Sequence, residues 1–151
     1  MSNQPNVTLR TATEEDSEFV FLVKKAALGE YIEQTWGWDE AFQRQFHEMD
    51  YEPGQTQIIL EDGDDVGWMV VVESDTEYQL QEIYLKPDRQ RRGIGSYLVR
   101  LLLARAEQAD KPVRLMVLKV NSRARQLYER LGFETVGETD THYVMSAVGP
   151  R

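Results

Sequence analysis

Between residues 77 and 118 the chain runs through a strand pattern, a glycine-containing loop, a long amphipathic helix and a second strand, and this succession constrains the fold most. Two strands of one sheet joined through a helix favour a right-handed parallel crossover, which implies a mixed sheet with helices on its faces. The first strand, about Glu77 to Leu85, stops at Pro87, which has no amide proton to continue a ladder. Its apolar phase shifts from Leu80 to Ile83 and Leu85, a parity change that a β-bulge produces. The helix is expected from about Gly93 to Ala109, with Ile94, Leu98, Leu101, Leu102 and Ala106 at helical spacing and Lys111-Pro112 as its stop. Val113 to Leu118 then reads as a buried strand.

The flanking segments extend this unit to β-α-α-β-β-β-α-β-α-β-β. Val7 to Arg10 forms a short strand, and Thr13 caps a helix that runs to about Leu28, with Phe19, Leu22, Val23, Ala26 and Ala27 as its buried stripe. Gly29 to Asp39 interrupts the pattern before a second helix, about Asp39 to Met49, which Pro53-Gly54 closes off. Residues 57–61 and 66–72 flank the turn-forming Asp62-Gly63-Asp64-Asp65, a hairpin signal. Asn121 or Ser122 caps a later helix ending near Leu131 and Gly132, and Phe133 to Glu138 and Thr141 to Ser146 are closing strands. The expected architecture is an α/β mixed, mostly antiparallel sheet of about seven strands with four helices on both faces. With 151 residues and no linker or repeat, one domain over 1–151 is expected.

Charge narrows the partners. The net charge of -9 argues against nucleic acid, whose phosphates call for broad clusters of Lys and Arg. Its distribution is uneven: residues 1–85 hold 4 basic and 19 acidic side chains, whereas residues 86–130 hold 12 basic and 4 acidic. The split suits an anionic ligand in the second region and a cationic one in the first, although solvated helix faces of uneven charge would give the same pattern. No apolar run reaches the ~20 residues of a membrane span. The start lacks a secretory pattern and the chain has no cysteine, so cytoplasmic residence is the expectation. His47 and His142 stand alone without ligand spacing, and no metal is expected.

Gln90-Arg91-Arg92-Gly93-Ile94-Gly95-Ser96 lies where a strand passes into a helix. Glycines let the backbone approach a ligand, and the free amides of a helix start bind anions such as a diphosphate. Nothing here ends in the Gly-Lys-Ser/Thr of a triphosphate loop, and the third glycine of a dinucleotide fingerprint is missing. The stretch from Leu80 to Gly95 resembles the acetyl-CoA motif of the GNAT superfamily, whose Gln/Arg-x-x-Gly-x-Gly/Ala element matches Gln90, Gly93 and Gly95. Asn121 to Phe133 resembles that superfamily's second element, and the element order agrees over nearly the whole chain.

The resemblance implies an acetyl-CoA-dependent N-acetyltransferase. Cofactor contacts would then come from Gln90, Arg91, Arg92, Gly93, Ile94, Gly95 and Ser96 for the diphosphate, and from Ile83, Tyr84 and Leu85 beside the pantetheine arm. Asn121, Ala124 and Tyr128 share one helix face by their spacing. By resemblance Asn121 bonds the pantetheine arm and Tyr128 is the acid that protonates the departing thiolate. Glu82, at the phase change, is the candidate base, directly or through water; a solvent-facing strand carboxylate is the competing reading. Tyr31, Glu33, Trp36, Trp38 and Asp39 fall in the implied acceptor loop, where aromatic faces and carboxylates suit a small cationic amine. Both tryptophans serve equally well as plugs of the helix junction. Without cysteine the transfer would be direct, in a ternary complex. A non-catalytic CoA-binding module, a different acyl chain or a different acceptor are the alternatives, and the exposed strand ends permit a homodimer.

Overall fold

The computed structural model describes residues 6–148. Seven strands, β1 (Val7–Thr11), β2 (Gln57–Glu61), β3 (Asp64–Glu73), β4 (Tyr78–Leu85), β5 (Val113–Leu118), β6 (Glu134–Glu138) and β7 (His142–Ala147), form one sheet in the order β1-β2-β3-β4-β5-β7-β6. The four α-helices are α1 (Ser17–Trp36), α2 (Glu40–Asp50), α3 (Ile94–Gln108) and α4 (Ser122–Arg130). The expected crossover is β4-α3-β5, and β4 with β5 is the parallel pair; the other neighbours are antiparallel. The last hairpin folds back so that β7, not β6, pairs with β5.

Each face of the sheet buries its own cluster. Leu98, Leu102 and Ala106 of α3 meet Ile59, Met69, Leu80, Val113 and Leu115 on one side. Val20 and Val23 of α1 meet Ala12, Ile58, Trp68 and Val70 on the other, where the Trp68 indole N–H donates to the Val20 carbonyl over 3.0 Å. Helices therefore cover both faces, as a two-sided open sheet requires.

The first helix departs from its sequence expectation in length and in face. It continues through Gly29 to Trp36, because Glu30, Glu33 and Gln34 favour helix and Ile32 is buried; Gly37, at φ 83°, ends it. Leu22 is exposed, whereas Val20 and Phe21 are buried. Val20 and Val23 face the sheet while Phe21 packs against Trp38 and His47. A helix buried on two sides shows no single stripe. The β2–β3 turn is also tighter than expected: Asp62 and Gly63 both have positive φ, 51° and 86°, so the strands meet through a two-residue turn.

The entry to α1 makes acid stability testable. Arg10 donates to both carboxylate oxygens of Asp16 (2.8 and 2.9 Å), and Thr13 N–H donates to the same carboxylate. The Arg10 hydrogen bonds hold this carboxyl down at about 2, below its ordinary 3.8. A carboxyl lowered on folding stabilises the fold above its unfolded value and stops doing so as pH falls toward the folded one. Asp16→Asn should therefore cost about 1–3 kcal/mol at pH 7 and much less near pH 2. Urea unfolding at both pH values checks this, and an equal cost at both would refute it.

Candidate active site

The site is an opening in the sheet. Strands β4 and β5 pair only from Tyr78↔Val113 to Leu80↔Leu115 and then part. The register of β4 against β3 slips at the same place, since Val71 opposes Leu80 while Val70 opposes Glu82, leaving Gln81 as the extra residue. This is the bulge that the apolar phase shift implied. Beyond it Ile83 and Leu85 join Leu80 in packing on the α3-side core, while Tyr84 joins the α1-side core.

The ladder also fixes where the backbone points. Lys86 N–H donates to the Val66 carbonyl, so by antiparallel alternation the bonded pairs are Tyr84 with Trp68 and Glu82 with Val70. The amides of Ile83 and Leu85 consequently face away from β3, into the gap left by β5. A cleft of about 1220 Å³ occupies this gap and extends between α1, α2, α3 and α4. It lies at the carboxyl ends of the parallel pair, where open α/β sheets place ligands.

The loop before α3 closes one end. Arg91 and Gly93 sit at φ 64° and 84°, and this left-handed kink turns the chain directly into the helix. The first intrahelical bond runs from Tyr97 N–H to the Gly93 carbonyl, so the amides of Ile94, Gly95 and Ser96 precede any acceptor within α3. Gln90 anchors the loop by donating its side-chain amide to the Leu85 carbonyl over 3.0 Å. Gln90, Arg91, Gly93, Gly95 and Ser96 line the cleft. The Ile94 side chain does not, being buried in the core, so only its amide is available to a ligand. Arg92 also lies outside the lining and pairs with Glu61, which Arg89 holds at 2.8 Å.

Asn121, Ala124 and Tyr128 of the α4 segment all line the cleft, as their shared face requires. The Asn121 side-chain oxygen accepts from Ala124 N–H and caps α4, which leaves its amide group as the part it can offer a ligand. Tyr128 packs edge-on against Phe133, and burial pushes its phenol up to about 12. The Tyr84 phenol is also raised well above its ordinary value, by burial first and then by the nearby Glu82 charge. Glu82 accepts from the Tyr84 hydroxyl at 3.5 Å and pairs with Lys24 of α1 at 3.2 Å. Glu82 is part-buried and lines both the cleft and a smaller recess of about 140 Å³ beneath α2.

The acceptor loop divides. Tyr31, Trp36 and Asp39 line the cleft, and Asp39 also caps α2 by accepting from Phe42 N–H. Glu33 and Trp38 do not line it. Glu33 accepts from Trp38 N–H at 2.6 Å and so fixes the end of α1, while Trp38 packs against Phe21, borders the smaller recess and donates to Glu40. Lys24, Phe42 and Phe46, which the sequence reading passed over, line the cleft as well. So does the strand opposite Tyr84 matter: a Cβ on Gly67 of β3 would sit 2.2 Å from the Tyr84 carbonyl oxygen. A glycine within a strand signals such a close approach, and Gly67 was readable on that ground.

The residues fit an extended ligand of the coenzyme A kind: helix-start amides for a diphosphate, a stretch of β4 backbone that β5 leaves unpaired, and a volume sufficient for a long flexible molecule. A family model described as "Acetyltransferase (GNAT) domain" matches residues 52–135. The chain belongs to the GNAT acetyltransferase family. No curated protein sequence matches it. Among solved structures, it is similar to the PaiA N-acetyltransferase of Thermoplasma acidophilum in complex with coenzyme A, with TM-score 0.74, 17% identity and coverage of 98% of this chain and 99% of that one. It is also similar to the Thermus thermophilus acetyltransferase (TM-score 0.71, 16%, covering 97% and 98%) and the Escherichia coli ribosomal-protein-S18-alanine N-acetyltransferase (TM-score 0.65, 21%, covering 96% and 96%). At these identities the likeness is one of fold. No helix among the described residues is long and apolar enough to cross a membrane.

Proposed function

We propose that the protein transfers an acetyl group from acetyl-CoA directly to a primary amine, with both substrates bound together. The observation that carries this reading is convergence: the α3 amides, the Ile83 and Leu85 amides, Glu82 and Tyr128 all meet one cleft where two parallel strands part. Acetyl-CoA would supply an activated acetyl thioester and a thiolate leaving group. The amides of Ile94, Gly95 and Ser96 hold the diphosphate, with Arg91 adding charge at the same rim. The Ile83 or Leu85 amide donates to the acetyl carbonyl oxygen, a type of interaction worth ~3 kcal/mol where negative charge develops. Glu82 takes a proton from the acceptor ammonium, directly or through water, once that cation displaces Lys24 from its carboxylate. The freed nitrogen lone pair bonds to the acetyl carbon, the carbon–sulfur bond breaks, and the Tyr128 hydroxyl protonates the departing thiolate. The proton the nitrogen sheds on becoming an amide reprotonates the tyrosinate through water. With no cysteine in the chain, a cysteine-bound acetyl intermediate is closed off.

Two assays test the proposal. Coenzyme A at saturation should raise the melting temperature, because a ligand bound only by the folded state stabilises it. Thiol release from acetyl-CoA should depend on added amine. A CoA-binding module without turnover is the second reading, favoured by the Lys24 pair that occupies Glu82. Stabilisation by CoA with no thiol release from any amine would select that reading, and no stabilisation at all would defeat both.

A further inference from the structure

Beyond the reaction itself, the cleft bears on which amine is taken, an inference that rests on the transfer proposed above. Three Trp or Phe side chains are exposed among the described residues, Trp36, Phe42 and Phe46, and all three line this one cleft. Phe42 and Phe46 stand one helical turn apart on α2 with nearly parallel rings, 22° between planes and 6.5 Å between centres. Trp36 closes α1 and approaches the His142 ring at 6.0 Å, with Met116 of β5, also exposed, completing the rim. Exposed aromatic surface this concentrated marks a binding surface, since scattered apolar side chains are the ordinary case.

The charges on the same walls say which end of the acceptor goes where. Glu82 and Asp39 line the cleft from the sheet and the start of α2. Lys24 is the cation that α1 and α2 contribute to the lining, and it is already paired with Glu82. The other lining cations, Arg91, Arg123 and Arg130, belong to the loop before α3 and to α4. Burial lowers His142 from its ordinary value, so it is neutral at pH 7 and does not repel a cation.

We infer that the acceptor is a primary amine on an apolar body, an arylalkyl or long alkyl amine, with its ammonium at Glu82 and its body between Phe42, Phe46 and Trp36. The apolar body supplies binding energy remote from the reacting nitrogen. A polyamine is the contrasting occupant. It would set a second ammonium in the smaller recess, whose rim carries Asp50 and Glu52 and which meets the cleft at Glu82.

The experiment compares kcat/KM at saturating acetyl-CoA for 2-phenylethylamine, hexylamine, putrescine, spermidine and glycinamide, using the full chain and the variants Phe42→Ala, Phe46→Ala and Trp36→Ala. The two apolar amines should exceed putrescine and glycinamide by ~10-fold or more, and the variants should erode that preference through KM rather than kcat. Because these side chains are largely exposed, their truncation should leave thermal unfolding close to that of the parent, and any one folded variant suffices. Preference for putrescine or spermidine, or an apolar preference untouched by all three variants, overturns the inference and leaves amine transfer standing. Transfer to no amine overturns both.

Discussion

Tyr128→Phe should lower kcat by ~10²- to 10⁴-fold, the usual range for a positioned proton donor, while the dissociation constant of acetyl-CoA stays unchanged. The ring contributes its edge contact with Phe133 in either residue, so only the hydroxyl is lost. Burial raises that phenol to about 12, which keeps it protonated at any working pH. The sign is definite: an acid catalyst acts in its protonated form, and a raised value extends that form upward. The deficit of the variant should therefore be the same at pH 7 and at pH 9.5, and the parent should show no alkaline fall due to Tyr128 across that interval. Single-turnover measurements give the cleanest comparison, because product release does not mask the chemical step. A variant with parental turnover would remove Tyr128 from the mechanism.

Among the described glycines, Gly67 is the one where an added methyl should do most damage. Its Cβ would lie 2.2 Å from the Tyr84 carbonyl oxygen and 2.9 Å from a Leu85 methyl, so the backbone of β4 has to move. Overpacking of this kind costs about 1–3 kcal/mol, and here the displaced segment carries the Ile83 and Leu85 amides on which the transfer depends. Activity should fall further than stability accounts for, since small misplacement of reacting groups is expensive. Gly54→Ala is the matched control: its Cβ would meet nothing within 4 Å, and the change should stay within about 0.5 kcal/mol. Urea unfolding and kcat/KM on the same preparations check both. A Gly67→Ala protein with parental stability would mean that β3 and β4 are not held as close as described.

Local patterning carried most of the architecture. The β4-α3-β5 crossover, the bulge at Gln81 and the left-handed stop at Gly132 each leave a mark within a few residues: a parity change, a helical period, a glycine. The end of the cleft proposed for the diphosphate was legible as a backbone feature for the same reason, being built from one contiguous loop and the helix it opens. What the sequence did not disclose depends on distant partners. Lys24 and Glu82 are 58 positions apart, and nothing in either neighbourhood marks the pair. The placement of β7 between β5 and β6 follows from which edge of a closing hairpin meets β5, a choice made by packing rather than by pattern. The acceptor side was half legible: Tyr31, Trp36 and Asp39 reach the cleft, whereas Glu33 and Trp38 stabilise the α1–α2 junction, as the plug reading of the tryptophans allowed for Trp38. The apolar character of α2 was visible, but its direction was not. Nothing near Phe42 or Phe46 in the sequence marks them as lining a cleft, and α2 buries no side chain fully.

The decisive measurement is a crystal structure of the protein with coenzyme A bound. The diphosphate oxygens should lie within hydrogen-bonding distance of the Ile94, Gly95 and Ser96 amides, and the sulfur in the gap between β4 and β5, within reach of the Tyr128 hydroxyl. Density for the coenzyme elsewhere on the surface, or a diphosphate bound away from the start of α3, would contradict this placement.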